Sequence, residues 1–260
     1  MYMRFVHLKV RKGQLRALGR FYEDRAIPAL QATRGCVFAS LLQPTGGDED
    51  CLSLTLWSSP KAADAYEQSG LYDQLLDEMD EFLEEAVVWR VRLAGDRGGP
   101  IPSLQDPEVE TFPVGVAAMG VNTSQIDELS THRMFIRIVA ARVEPSRYAE
   151  LEQRYDEEVA PALLATKGCR AAFLVEGVST RSRALSVTVW DSEQDALRYE
   201  ASGSYDEQVS KLSEFFSGLY QWKLSVGQRQ DRDEVTGRDL DVTGYHVVTA
   251  RRLRGGSTAE

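Results

Sequence analysis

The sequence predicts an α+β chain in which one strand–helix–strand–strand–helix–strand unit occurs twice, the two sheets packed against each other. Three observations predict it. "IPALQATRGC" at Ile27 returns as "VAPALLATKGC" at Val159. A constant offset of 133 positions relates Pro28 to Pro161, Gly35 to Gly168, Cys36 to Cys169, Trp57 to Trp190, Tyr66 to Tyr199 and Tyr72 to Tyr205, without a gap. The strand segments are apolar or small on both faces, as in Leu52, Leu54 and Leu56 alternating with Ser53, Thr55 and Trp57. A sheet with few charges on either face needs cover on both sides, and the duplicated half is the available cover. The halves are read as domains 1–121 and 132–260, joined through the polar stretch Asn122–Thr131; each falls in the usual domain size range.

Each element follows from local pattern. "RFVHLKV" and "MFIRIVAARV" alternate and open the halves as strands. A helix follows, with its apolar stripe at Leu15, Leu18, Tyr22, Ala26 and Leu30, copied at Tyr148, Leu151, Tyr155, Val159 and Leu163. Pro28 and Pro161 fall late in it and predict a kink or restart; Gly35 and Gly168 end it. "CVFASLL" and "CLSLTLW" form two strands around the turn-rich "QPTGGDED", copied by "CRAAFLV" and "ALSVTVW". Ser59-Pro60 starts a short helix as a cap and first-turn proline. Ser192 and Asp195 have the spacing of a capping box. Gly70 and Gly203 separate this helix from one through Leu75, Met79, Phe82 and Leu83, matched by Val209, Leu212, Phe215 and Phe216. A last strand is placed at Trp89 and Trp222. The order is that of ferredoxin-like domains.

Composition excludes several functions. The net charge of −10 repels phosphate backbones, so no nucleic acid partner is expected. No apolar run reaches the length of a membrane span, and the amino terminus alternates rather than reading as a signal peptide. Three cysteines at Cys36, Cys51 and Cys169 make no secreted framework, which points to a cytoplasmic setting. His7, His132 and His246 share no ligand spacing, and neither CxxC nor HExxH occurs, so no metal is expected. Cys36 and Cys169 read as buried packing, since no histidine repeats beside both. "DEMDEFLEE" reads as the solvated face of an amphipathic helix.

The duplicated unit, with "GC" opening the second strand, "LTLW" or "VTVW" closing the third, and "YEQSGLYD" or "YEASGSYD" between the two short helices, resembles the antibiotic biosynthesis monooxygenase superfamily over about residues 2–94 and 134–227. The strands "EVETFPVGVAAM" and "DVTGYHVVTARRL" lie beyond that core. The resemblance implies a dimeric α/β barrel, built here within one chain, and a cavity between helices and sheet. It implies a cofactor-independent monooxygenase whose small aromatic or quinol substrate reduces dioxygen from its anion, in a dry slot with a few hydrogen-bond donors. The candidate catalytic residues are Trp57, Tyr66, Tyr72, Trp190, Tyr199 and Tyr205. Tyr22, Tyr155 and His7, the last without a counterpart because Ala140 stands at its repeat position, are the candidates for holding substrate. The same aromatic spacings also suit an ordinary core. A second function stays open: a barrel that binds a small molecule, or serves structurally, without chemistry. One chain supplies both halves, which allows a monomer, while unpaired edges on the tail strands invite a second chain; monomer and homodimer both stay open.

The haem-degrading branch of the superfamily resembles this chain around "LTLWSSPKAADAYEQSGLYDQLLDEM", and the resemblance implies three functional positions there. The tryptophan position falls on Tyr66 and Tyr199, and the iron-ligating histidine position near Leu76 and Val209. The only asparagine of the chain is Asn122, outside both first strands. Haem degradation in that manner is not expected, because an apolar side chain provides no axial nitrogen.

Overall fold

The computed structural model describes residues 1–45, 50–84, 109–119, 134–176, 183–216 and 241–252, the stretches 109–119 and 241–252 by their backbone. The first half runs β1 (Tyr2–Lys9), α1 (Leu15–Phe21), a π-helical turn (Tyr22–Ala26), α2 (Ile27–Ala32), β2 (Cys36–Pro44), β3 (Asp50–Trp57), α3 (Pro60–Gln68), α4 (Leu71–Met79) and β4 (Val109–Met119). The second repeats it as β5 (Phe135–Arg142), α5 (Tyr148–Arg154), a π-helical turn (Tyr155–Val159), α6 (Ala160–Ala165), β6 (Cys169–Glu176), β7 (Arg183–Trp190), α7 (Glu193–Ala201), α8 (Ser204–Leu212) and β8 (Asp241–Arg252). The tandem ferredoxin-like α+β fold expected from the sequence is present.

The eight strands form one closed barrel in the order β1-β3-β2-β8-β5-β7-β6-β4. The two sheets are therefore joined at their edges as well as facing each other. The seams are the tail strands. Val109–Pro113 of β4 pairs with β1 of its own half, and Val114–Met119 pairs with β6 of the other. By the same plan, Asp241–His246 of β8 pairs with β5, and Tyr245–Arg252 with β2. Pro113, which has no N–H to give a ladder, stands where β4 changes partner. The tail strands are thus the fourth strands of the two units, a correction to their reading as additions beyond the core. Their pairing runs within the chain, which removes the reason to expect them to recruit a second copy. Trp89, Trp222, the linker 122–131 and His132 lie outside the described residues.

Strand alternation divides the core into three. Met3, Phe5, Leu52, Leu54 and Leu56 point into the lumen, where they meet Ile136, Phe173, Val187 and Val189. The opposite faces carry Val6, Leu8, Val10 and Trp57 under α1–α4, and Val139, Val143 and Trp190 under α5–α8. Trp57 and Trp190 have no exposed surface, and each contributes about 3 kcal/mol of burial free energy.

Of the kink or restart expected at the prolines, the structure shows the restart. Ile27 N–H reaches back to the Tyr22 carbonyl and Ala160 N–H to that of Tyr155, five residues earlier. One π turn widens the helix before each proline, so Pro28 and Pro161 begin a new α segment where no N–H is required. Gly35 and Gly168 sit at φ +90°, and a Cβ on Gly35 would stand 2.6 Å from that of Ala62. The glycine before each strand cysteine lets the following short helix approach the sheet. Ser59 and Ser192 cap α3 and α7 as expected, accepting from Ala62 N–H at 3.2 Å and Asp195 N–H at 3.3 Å.

Candidate functional site

The helix-facing side of each half holds the same polar network among apolar residues. In the first half, Trp57 stacks on Tyr66 with centroids 5.0 Å apart, and Tyr66 meets Tyr72 at 5.9 Å. In the second, Trp190 lies 5.2 Å from Tyr199, which lies 6.1 Å from Tyr205. Tyr22 and Tyr155, both on the π turns, reach the strand hydroxyls of Ser53 at 2.6 Å and Ser186 at 2.8 Å. The expected tyrosines are therefore gathered on one side of each sheet.

Three expected members, Trp57, Trp190 and His7, do not join them in the way the sequence suggests. Each indole N–H donates to a threonine two residues earlier on the strand, Trp57 to Thr55 at 2.9 Å and Trp190 to Thr188 at 2.8 Å. The tryptophans thus brace the tyrosines, and their only polar hydrogens are already engaged. His7 has the strand parity of Met3 and Phe5, on the lumen side, and is exposed. It lies on the face away from Tyr22 and Tyr66, because one residue along a strand reverses the side chain.

Sequence reading missed the two arginines. Arg4 on β1 and Arg137 on β5 are buried, with side chains 3% and 4% exposed. Arg4 Nε donates to Glu67 at 2.9 Å, and Arg137 Nε to Glu200 at 2.6 Å. Their guanidinium groups lie over Tyr72 at 4.2 Å and Tyr205 at 4.0 Å. In both, Nη2 is buried without a hydrogen-bond acceptor among the described residues. A buried cationic donor without an acceptor is costly unless something anionic completes it. A signal was available: Arg4 and Arg137, Glu67 and Glu200, and Ser53 and Ser186 all obey the 133-residue offset.

The halves differ in what fills the space beside the arginine. Leu8, Cys51 and Leu75 are buried in the first half. Ala141, Ala184 and Gln208 stand at their repeat positions, and in the second half they line a cavity of about 60 Å³ with Arg137, Tyr155 and Tyr199. Leucine-to-alanine and cysteine-to-alanine exchanges leave space of this order, and Gln208 adds a buried amide. Tyr205 and Val209 complete the wall toward α8.

Protonation follows from dryness. Burial pushes the Tyr22 hydroxyl up to about 12, the Ser53 hydrogen bond opposing it. Burial raises Tyr66, Tyr155 and Tyr199 as well, against the lowering field of the nearby arginine. These phenols remain neutral near pH 7, suited to donating a hydrogen bond and unsuited to removing a proton. The Cys36 and Cys169 thiols are pushed up to about 12 by burial, so neither is a thiolate nucleophile. Among the described residues no group of three histidine, cysteine or acidic side chains is gathered as a metal site, and no helix is long and apolar enough to cross a membrane.

A closed barrel of two ferredoxin-like units defines the class of α/β barrels built from paired ferredoxin-like domains. The chain belongs to the antibiotic biosynthesis monooxygenase family, whose model matches residues 1–83 and 134–210. Similar solved structures share the fold at low identity. A candidate monooxygenase of Fusobacterium nucleatum subsp. nucleatum superposes with a TM-score of 0.66 at 8% identity, covering 98% of this chain and 95% of its own. One from Lactobacillus acidophilus gives 0.65 at 9%, covering 97% and 96%. An anthrone oxidase-like protein gives 0.54 at 13%, covering 100% and 96%. No curated protein matches the chain.

Proposed function

We propose that the protein is a cofactor-independent monooxygenase whose site is the helix-side cavity of the second half, and that it acts on a small phenol or quinol. The observation that carries this reading is the buried Arg137 Nη2 group, which has no carboxylate or carbonyl acceptor among the described residues and whose side chain lines a largely apolar cavity. A phenolate oxygen seated there completes the guanidinium with a charge-assisted hydrogen bond. The arginine stabilises the anion, so the substrate ionises more readily although the tyrosines offer no base. An electron-rich anion in a dry site is competent to pass an electron to dioxygen. Tyr155, Tyr199 and Gln208 supply neutral polar edges that orient the ring. At about 60 Å³ the resting cavity is small for a phenol ring, so substrate entry requires its wall to widen. Cys36, Cys51 and Cys169 are buried and joined by no disulfide, which supports a reducing, cytoplasmic setting.

Oxygen uptake with a panel of hydroquinones and anthrone-like phenols tests the reading. Arg137→Met replaces a buried cation by apolar bulk, and Glu200, 36% exposed, returns to solvent, so the fold survives. The expected loss is about 100-fold in kcat/KM, while Arg4→Met in the filled half leaves turnover close to normal. Uptake insensitive to Arg137→Met removes the site from the mechanism. Binding without turnover is the second reading, favoured by the small resting volume and the lack of a base. A panel that binds at this cavity and consumes no oxygen establishes it.

A further inference from the structure

We propose that the barrel lumen is a second ligand site, separate from the helix-side cavity, and that it takes an uncharged hydrocarbon group of about naphthalene size. A cavity of about 240 Å³ lies inside the barrel between the two halves. Every described residue lining it is apolar. It is bounded by Met3, Phe38 and Leu54 from the first half and by Ala171, Val187 and Val189 from the second.

The repeat explains why the space exists. Phe38, Leu54 and Leu56 occur at the positions of Ala171, Val187 and Val189. The second half is one methylene shorter at each of Val187 and Val189, and its ring is displaced along the strand, Phe38 and Ser40 returning as Ala171 and Phe173, so the space lies beside Ala171. The void left is large against the marginal stability of a domain. Water does not recover that cost where the described lining, made of methyl, methylene, thioether and phenyl groups, offers it no strong partners. An apolar molecule does, through burial and dispersion contacts. At interior packing density the volume accommodates roughly nine or ten carbon atoms. Met1, 44% exposed, and Met134 supply unbranched thioether side chains that adapt to such a guest. Among the described lining residues a charged group finds no counterion.

Methionine methyl resonances read this site directly, because Met3 and Met134 line the lumen while Met79 packs beneath the helices of the first half. In the full chain labelled at methionine methyl carbons, naphthalene is expected to shift Met3 and Met134 saturably, leave Met79 in place and raise the melting temperature. Naphthalene-2-sulfonate is expected to leave all three unmoved. Ala171→Phe restores the residue of the first half and is expected to weaken binding about tenfold or more. Should that variant fail to fold, the paired Val187→Leu and Val189→Leu substitutions narrow the same space and carry the same expectation. Ala141→Leu, which fills the helix-side cavity, is expected to leave the Met3 and Met134 shifts intact. Naphthalene binding that spares Met3 and Met134, that survives lumen filling, or that disappears in Ala141→Leu overturns the proposal, as does equal binding of the sulfonate or no binding at all. Activity is not read in any arm, so failure here is distinct from failure of the proposed reaction.

Discussion

The Arg137 guanidinium lies 4.0 Å from the centre of the Tyr205 ring. Arg4 repeats the relationship over Tyr72 at 4.2 Å. The same cation donates through Nε to a glutamate on the following short helix, so one planar group links strand, helix α3 or α7, and the tyrosine of the next helix. Lysine keeps the charge and loses the flat face and the fork of donors. Arg137→Lys is expected to cost about 1 kcal/mol, with a similar cost for Arg4→Lys. Chemical denaturation of the two variants measures both, and a loss confined to one half contradicts the repeated network.

Ala141 and Leu8 occupy equivalent strand positions, and the cavity lies beside the alanine. Ala141→Leu fills about 60 Å³, worth about 1 kcal/mol of added stability if the leucine fits without strain. It is expected to abolish oxygen uptake at the same time. Leu8→Ala opens the first half and is expected to cost about 3 kcal/mol. A more stable Ala141→Leu protein with unchanged turnover places the chemistry elsewhere.

Alkaline pH acts through the buried acids. Unfolded cysteine and tyrosine lose protons from about pH 9 and 10. In the folded state Cys36, Cys169 and Tyr22 hold theirs up to about 12. The unfolded chain therefore binds fewer protons than the folded one in that interval, and stability falls as pH rises from 9 toward 12, by about 1.4 kcal/mol per pH unit for each such group. Below pH 9 these groups give no pH dependence. Denaturation midpoints at pH 7, 9 and 10.5 test this; a midpoint constant to pH 11 shows that the phenols and thiols ionise without unfolding.

Strand β8 joins β2 to β5. Deleting residues 241–260 leaves both with unpaired edges and opens the lumen. Such edges pair with other chains, so the truncated protein is expected to self-associate in light scattering, while the full chain keeps its closed barrel. A truncated protein that stays monodisperse at the mass of the full chain's species shows that β8 is dispensable for closure.

Sequence reading reached most of the elements because their signals are local or repeated. The stripe from Leu15 to Leu30, the Ser59-Pro60 start and the Gly-Cys junctions each specify their structure within a turn or two. The 133-residue offset then doubles every inference. The tail strands were misjudged for a physical reason: a fourth strand is defined by its partners, and the partners of β8 lie about 110 and 200 residues away in sequence. Arg4 was overlooked because a charged residue in "RFVHLKV" looks like the solvated face of a strand. Its burial exists only because Glu67 arrives 63 residues later to pair with it.

The sequence by itself determined the duplication and the order of strands and helices within each half, since these follow from periodicity, caps and repeat spacing, while the family resemblance implied the tyrosine-lined space between helices and sheet. Only the tertiary structure decided how the halves close, which face His7 takes, what the tryptophan N–H groups bond, and which half keeps an open cavity. Those outcomes depend on strand pairing across the chain and on volumes summed over several elements. Ala141 opens space where Leu8 fills it, a difference of three carbon atoms visible in the sequence, whose meaning appears once Arg137, Ala184 and Gln208 stand beside it.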